Sequence, residues 1–407
     1  MTGTILIRGA RQLLTMRGPK GPRRGLALNE LSIIPDGALL IRDGVLMEVG
    51  PSRRLENLAE ARDAWEINAA GRVVMPGFVD SHTHLAFPLP GSAEAGNDAT
   101  RAVRASTGQR LGVKVRAYLE AMARHGTTTV EAKTGCDADE SAESKVLRVL
   151  STFKDDPVEV IPSFLLRLPP DREGGCTFHD AAVRALDELL PKIRKRGLAR
   201  FADVVWDGDP EHEAYFDRYL HEARRLGFGC KIHADQLNPL AAMAMAVEHR
   251  VVSIDHLEHA TEEEAALLGP AGIIATLLPC AAFREDRHAP ARALIDSGWA
   301  VALATNFNAH HTPTLSMQTA AAVACLRMGM TAAETLTAAT INGAYALGCG
   351  DRTGSLELGK SADLLILNVG DYRDLPLTLG TNVVHMTMKR GETIYREGAV
   401  AAQSARA

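Results

Sequence analysis

The chain has 407 residues, is 46% hydrophobic and 23% charged, and carries a formal charge of -5. That is ample apolar material for a large core, and too little charge imbalance for nucleic acid or a membrane surface to be the main partner. No apolar run reaches the roughly 20 residues that span a bilayer, no basic leader precedes an apolar stretch, and the six cysteines are scattered without a CxxC pair, so a cytoplasmic protein with reduced thiols is expected.

Short β-strands open the chain at residues 4–8, 37–42 and 45–49, and similar strands close it at 362–368, 384–389 and 392–396. Between them the texture changes. Apolar β-rich runs occur at 73–79, 127–132, 158–166, 201–205, 229–232, 251–254, 272–278 and 300–304. Helical periodicity separates most of them, at 111–125, 142–152, 181–195, 211–226, 239–248, 262–268 and 289–297. Several of these helices stop at glycine: Gly126, Gly197, Gly227 and Gly298. Eight alternating units predict a closed (β/α)8 TIM barrel of the α/β class over residues 73–345. An open doubly wound sheet is the alternative, but the chain has no GxGxxG phosphate loop to support it. The two β-rich ends, 1–72 and 346–407, are expected to pair as a small composite β-sandwich domain.

The most informative stretch is His82-Thr83-His84, at the end of the first barrel run. Alternate residues of a strand share a face, so both imidazoles point one way. Barrel chemistry sits at the C-terminal strand ends. Those ends carry Glu131 and Lys133, Trp206-Asp207, His233-Ala234-Asp235-Gln236, Asp255-His256-Leu257-Glu258, and Asn306-Phe307-Asn308. Imidazoles from strands 1 and 5 can converge on one cation with an open position. A bound divalent ion lowers the pKa of water from about 15.7 to about 7, producing a hydroxide that can attack an amide carbon.

Five segments in order resemble the amidohydrolase superfamily, imidazolonepropionase-like branch. Pro76-Gly77-Phe78-Val79-Asp80-Ser81-His82-Thr83-His84 resembles its first metal motif, and Thr127-Thr128-Thr129-Val130-Glu131-Ala132-Lys133-Thr134-Gly135 its TTVEIKSG segment. Lys231-Ile232-His233-Ala234-Asp235-Gln236 resembles KxHADQ, Asp255-His256-Leu257-Glu258 resembles ADHLE, and residues 354–363 resemble the return into the small β domain. The resemblance implies one divalent metal ion, Zn or Fe with Zn preferred, held by His82, His84 and His233. It implies that His256 lies beside the metal, that Gln236 faces the substrate, and that Glu131 and Lys133 stand close behind. The implied reaction opens a cyclic amide.

The pattern breaks at strand 8. An Asp expected there, which would complete the metal shell and take a proton, is Asn306. Its amide oxygen can touch a cation, but it is neutral and no base. Three accounts stand open: an introduced Asp→Asn change, a chain that uses His256 as base, or a homologue that binds metal or ligand without turnover. The first is preferred because the rest of the site is intact. The substrate side departs as well. The stretch Phe87-Pro88-Leu89-Pro90-Gly91-Ser92-Ala93 lacks an expected Arg, and Leu166-Arg167-Leu168 lacks an expected His. Arg167, Trp206, Phe283, Arg284, Asn308, His310 and His311 are the candidate substrate contacts, and Trp206, Phe283 and Phe307 suggest a flat, apolar ligand. A heterocycle deaminase is the nearest rival; Gln236, where that branch carries Glu, disfavours it. A homodimer is expected as the commonest assembly.

Overall fold

The computed structural model describes residues 3–86, 99–154, 156–168, 178–206, 208–234, 239–267, 272–285, 287–308 and 312–399. The chain begins with β1 (Thr4–Leu14), β2 (Ile33–Arg42), β3 (Val45–Pro51), β4 (Trp65–Asn68) and β5 (Val73–Pro76). Eight barrel strands follow: β6 (Phe78–Asp80), β7 (Thr127–Lys133), β8 (Glu159–Leu166), β9 (Phe201–Trp206), β10 (Gly229–Ala234), β11 (Ser253–His256), β12 (Ile274–Leu277) and β13 (Ala300–Leu303). The chain returns through β14 (Leu364–Leu367), β15 (Val384–Lys389) and β16 (Glu392–Arg396).

The two ends meet in one mixed sheet of order β16-β15-β14-β5-β1-β2-β3, with β4 beside β1. The run over residues 73–79, expected as a single barrel strand, is divided. β5 pairs with β1 and β14 in the small sheet, and β6 pairs with β7 in the barrel. Gly77 makes the joint. A Cβ there would come within 2.3 Å of Thr128 Cγ2, so only glycine lets the chain pass this close to β7.

Every pairing from β6 to β13 is parallel and sequential. The ring closes just beyond the strand ends, where Thr83 bridges Phe307 and the Asn306 N–H donates to the His82 carbonyl at 3.1 Å. Closure therefore fuses the His82 segment to the Asn306 segment. The outer helices include Gly108–Arg124, Glu140–Ser151, Glu213–Arg225 and Pro239–Glu248. Thr107 and Asp139 cap the first two by accepting from the backbone N–H groups of Arg110 and Ala142. The four expected glycine stops all have positive φ, from 60° at Gly197 to 95° at Gly126.

Alternation along the strands sorts the side chains. On β9, β10 and β11, Ala202, Val204, Trp206, Ile232, Ala234 and Ile254 face outward into the main hydrophobic core. The intervening Asp203, Lys231, His233, Ser253 and Asp255 are buried inside the barrel. The interior carries these polar groups beside a small apolar cluster that includes Val79, Ile161 and Phe201, and the main core is the layer between strands and helices. Barrel and small sheet are joined by buried charges: Lys389 Nζ lies 2.9 Å from Glu159 Oε2 and 2.8 Å from Asp363 Oδ2, and Arg352 pairs with Glu159. Among the described residues no helix is long and apolar enough to cross a membrane.

Candidate metal centre

Three strand ends deliver imidazoles to one place. His82 follows β6, His233 lies in β10 and His256 ends β11. One ring nitrogen from each of these three lies within 4.8 Å of the other two. Ring centroids are 4.2 Å apart for His233–His256, 4.7 Å for His82–His233 and 5.3 Å for His82–His256. His84 stands at the edge, 5.3 Å from His82 and 6.1 Å from His233. Asn306 is buried beside His82 with φ of 53°. That left-handed conformation is one Asn and Asp adopt more readily than other side chains.

Carboxylates orient the rings from below. His82 Nδ1 sits 2.8 Å from Asp255 Oδ2, and Ser253 Oγ donates to the other Asp255 oxygen at 2.7 Å. Lys133 Nζ lies 2.5 Å from Asp203, 2.8 Å from Asp255 and 3.3 Å from Glu131. Lys231 Nζ reaches Glu131 at 2.7 Å, and Ser163 Oγ donates to Glu131. These groups are fully buried. Burial pulls the Lys133 ammonium down, but the carboxylates of Asp203, Asp255 and Glu131 outweigh it and hold its pKa above the ordinary value. Burial likewise opposes ionisation of Asp255, yet Lys133 and Lys231 keep its pKa well below the usual carboxylate range.

The imidazoles respond in the opposite direction. Burial and the Lys133 charge push His84 down to about 3, and hold His82 well below its ordinary value. Burial, then the neighbouring rings, does the same to His233. Neutral imidazole is the form that binds a metal. His82 Nε2 and His233 Nδ1 are buried with no hydrogen-bond partner among the described residues. Buried nitrogens left unsatisfied on adjacent rings are costly unless something coordinates them, so the donor set fits a divalent cation.

The remaining expected contacts scatter. Trp206 is buried against Phe216 of the helix Glu213–Arg225, with ring centroids 5.4 Å apart. It follows Val205 by one position and so faces the helix layer, not the barrel mouth. Phe307 packs on Tyr118 at 4.8 Å, within a second hydrophobic cluster. Phe283 is 63% exposed. The three aromatics share no wall, and the flat apolar pocket they suggested is withdrawn. Arg167 is exposed at the rim, 3.9 Å from Asp137, and its charge acts on His84. Asn308 exchanges backbone hydrogen bonds with Thr312 and shapes the turn after β13. Gln236, His310 and His311 lie outside the described residues, as does the Arg284 side chain.

Two functional side chains escaped sequence reasoning. Asp255 holds His82, and Glu258 holds His256 Nδ1 at 3.1 Å. A signal existed for the first, because Ser253 and Asp255 share the inward face of β11.

A closed parallel barrel with histidines gathered at its C-terminal strand ends and a cation-ready donor set defines the class, a metal-dependent hydrolase. The chain belongs to the amidohydrolase family, which matches residues 73–394. Within it the chain is imidazolonepropionase-like. It is 38% identical to the imidazolonepropionase of Symbiobacterium thermophilum, covering 97% of this chain and 98% of that protein. It is 37% identical to that of Parabacteroides distasonis, over 95% and 98%. It is a hydrolase of non-peptide C–N bonds, acting on a cyclic substrate. Solved structures share the fold at lower identity. A zinc-bound adenosine deaminase from Xanthomonas campestris superposes with a TM-score of 0.71 at 21% identity, over 96% of this chain and 92% of that one. Guanine deaminase from E. coli gives 0.70 at 18%, over 97% and 100%.

Proposed function

We propose that the chain opens a small cyclic amide bearing a carboxylate, of the imidazolone propionate kind, using one zinc ion. The observation that carries this reading is the convergence of buried, neutral imidazoles on one point. His82 and His233 would hold the ion, with His84 beside them. When bound, the ion supplies a Lewis acid that polarises the ring carbonyl and acidifies water next to it. Zinc is preferred over iron because three imidazoles with an open position are a known catalytic zinc arrangement.

The chain's own groups complete the site. Asp255 fixes the His82 ring through Nδ1. His256, fixed by Glu258, and Asn306 stand beside the place of the ion, and Asn306 supplies a neutral polar contact to the reacting point. Arg167 at the rim carries the charge that would meet the substrate carboxylate. In the reaction, oxygen from water bonds to the ring carbonyl carbon, the C–N bond breaks, and the released nitrogen gains a proton. Asn306 can accept a hydrogen bond but cannot take up and return that proton at neutral pH, so the rate is held down at this position.

The test is an assay of purified protein on imidazolone propionate and related cyclic amides, before and after chelator treatment and zinc add-back. Ring opening without ammonia release, lost with the chelator and restored by zinc, is expected. Stoichiometric ammonia release would replace this reading with deamination.

A further inference from the structure

The segment Asp255-His256-Leu257-Glu258 does more than its strand-end position requires. Its first carboxylate orients His82, and its last holds His256 Nδ1 at 3.1 Å. His256 and Leu257 have φ of 79° and 72°, two successive left-handed residues that are neither glycine nor asparagine. Both are buried. Such backbone is unfavourable and persists only where its surroundings enforce it. Here the turn brings the Glu258 carboxylate back onto the ring of His256. The result repeats the His82 arrangement: a carboxylate on Nδ1, which makes Nε2 the nitrogen a cation would take.

We propose that His256 is itself a ligand of the cation in this chain, filling the place that a carboxylate at position 306 would otherwise take. This rests on the metal-dependent reading above. Three observations support it. The nitrogens that cluster within 4.8 Å belong to His82, His233 and His256. The His84 ring stands further from His233 than the His256 ring does, 6.1 Å against 4.2 Å. Position 306 is a neutral amide, so no anionic ligand competes with the imidazole there. The negative charge that favours a divalent cation comes instead from one bond further out, from Asp255 and Glu258. A consequence follows for turnover. With its Nε2 lone pair committed to the ion, His256 cannot also serve the substrate. Asp at 306 would release it.

The test uses the full-length protein, stripped by chelator and titrated with Co(II) against a competing chromophoric chelator, with the visible Co(II) bands as a second readout. The unaltered chain should take up one Co(II). His256→Ala should weaken Co(II) binding by about 100-fold or more and shift the bands. Glu258→Gln, nearly isosteric, should weaken it by roughly 10–100-fold and answers the question even if the alanine variant fails to fold. In the Asn306→Asp background, the loss caused by His256→Ala should shrink to less than about 10-fold. The proposal is overturned if His256→Ala and Glu258→Gln hold Co(II) as tightly as the unaltered chain with the same spectrum. An unaltered chain that takes up no Co(II) sinks the metal-dependent reading, and this one with it.

Discussion

Under the proposed function, the limit on rate lies at Asn306. It sits beside His82 in a backbone conformation suited equally to Asp, and the amide differs from the acid chiefly in lacking a charge and a transferable proton. Asn306→Asp should therefore raise kcat for ring opening by about 10²–10⁴; steady-state kinetics that show no change would reject that account. Asp255 is the second decisive residue. Asp255→Asn leaves an acceptor for His82 but removes the anion, and zinc affinity measured by chelator competition should fall by roughly 10–100-fold. At this scale the sequence was partly legible. The spacing of His82 and His84 and the imidazole at His233 announce a metal site. The function of Asp255 was only hinted at by its place on the inward face of β11, because it depends on a contact with a residue 173 positions away in the chain.

The barrel strands carry charge where a core would be expected to carry hydrocarbon. Lys133 faces three carboxylates in a fully buried interior. Lys133→Met would leave Asp203, Asp255 and Glu131 with too little counter-charge. It should lower stability to urea by about 3–5 kcal/mol, the usual result of breaking a buried ion pair from one side. A change in the urea midpoint equivalent to less than about 1 kcal/mol would show that these carboxylates take up protons without strain. Alternation of β-rich and helical runs exposed the barrel in advance, and β10 and β11 end close to their expected positions. The division of residues 73–79 into β5 and β6 stayed hidden. The run is interrupted only at Pro76-Gly77, a break that does not say whether the strand resumes in the same sheet, and the pairings of β5 and β6 with the approach of Thr128 to Gly77 reveal the joint.

Across the molecule, barrel and small sheet meet at a seam of paired charges. Burial alone would raise the pKa of Glu159, but hydrogen bonds from Arg352 and the charge of Lys389 outweigh it and bring it from 4.5 down to about 2. A carboxylate depressed by folding adds stability above its unfolded pKa and loses it as pH falls through its folded value. The seam should thus weaken between about pH 4.5 and about 2, by something on the order of 3 kcal/mol. Thermal midpoints measured across that window should fall for the unaltered chain. In Glu159→Gln the same profile should be flatter and start lower; an identical slope in both would remove Glu159 from the explanation.

The order of apolar runs and the glycine stops were enough to specify a barrel, the histidine spacing marked one face of it as a candidate metal site, and the resemblance of five short segments pointed to the family, because each is a local pattern written along the chain. Which imidazoles gather at one point, which carboxylates hold them, and which aromatics turn away from the mouth were decided only by tertiary structure. Those outcomes follow from strand register and ring closure, which set His82 against Asp255 and Asn306 and turn Trp206 into the helix layer, and no window of neighbouring residues contains them.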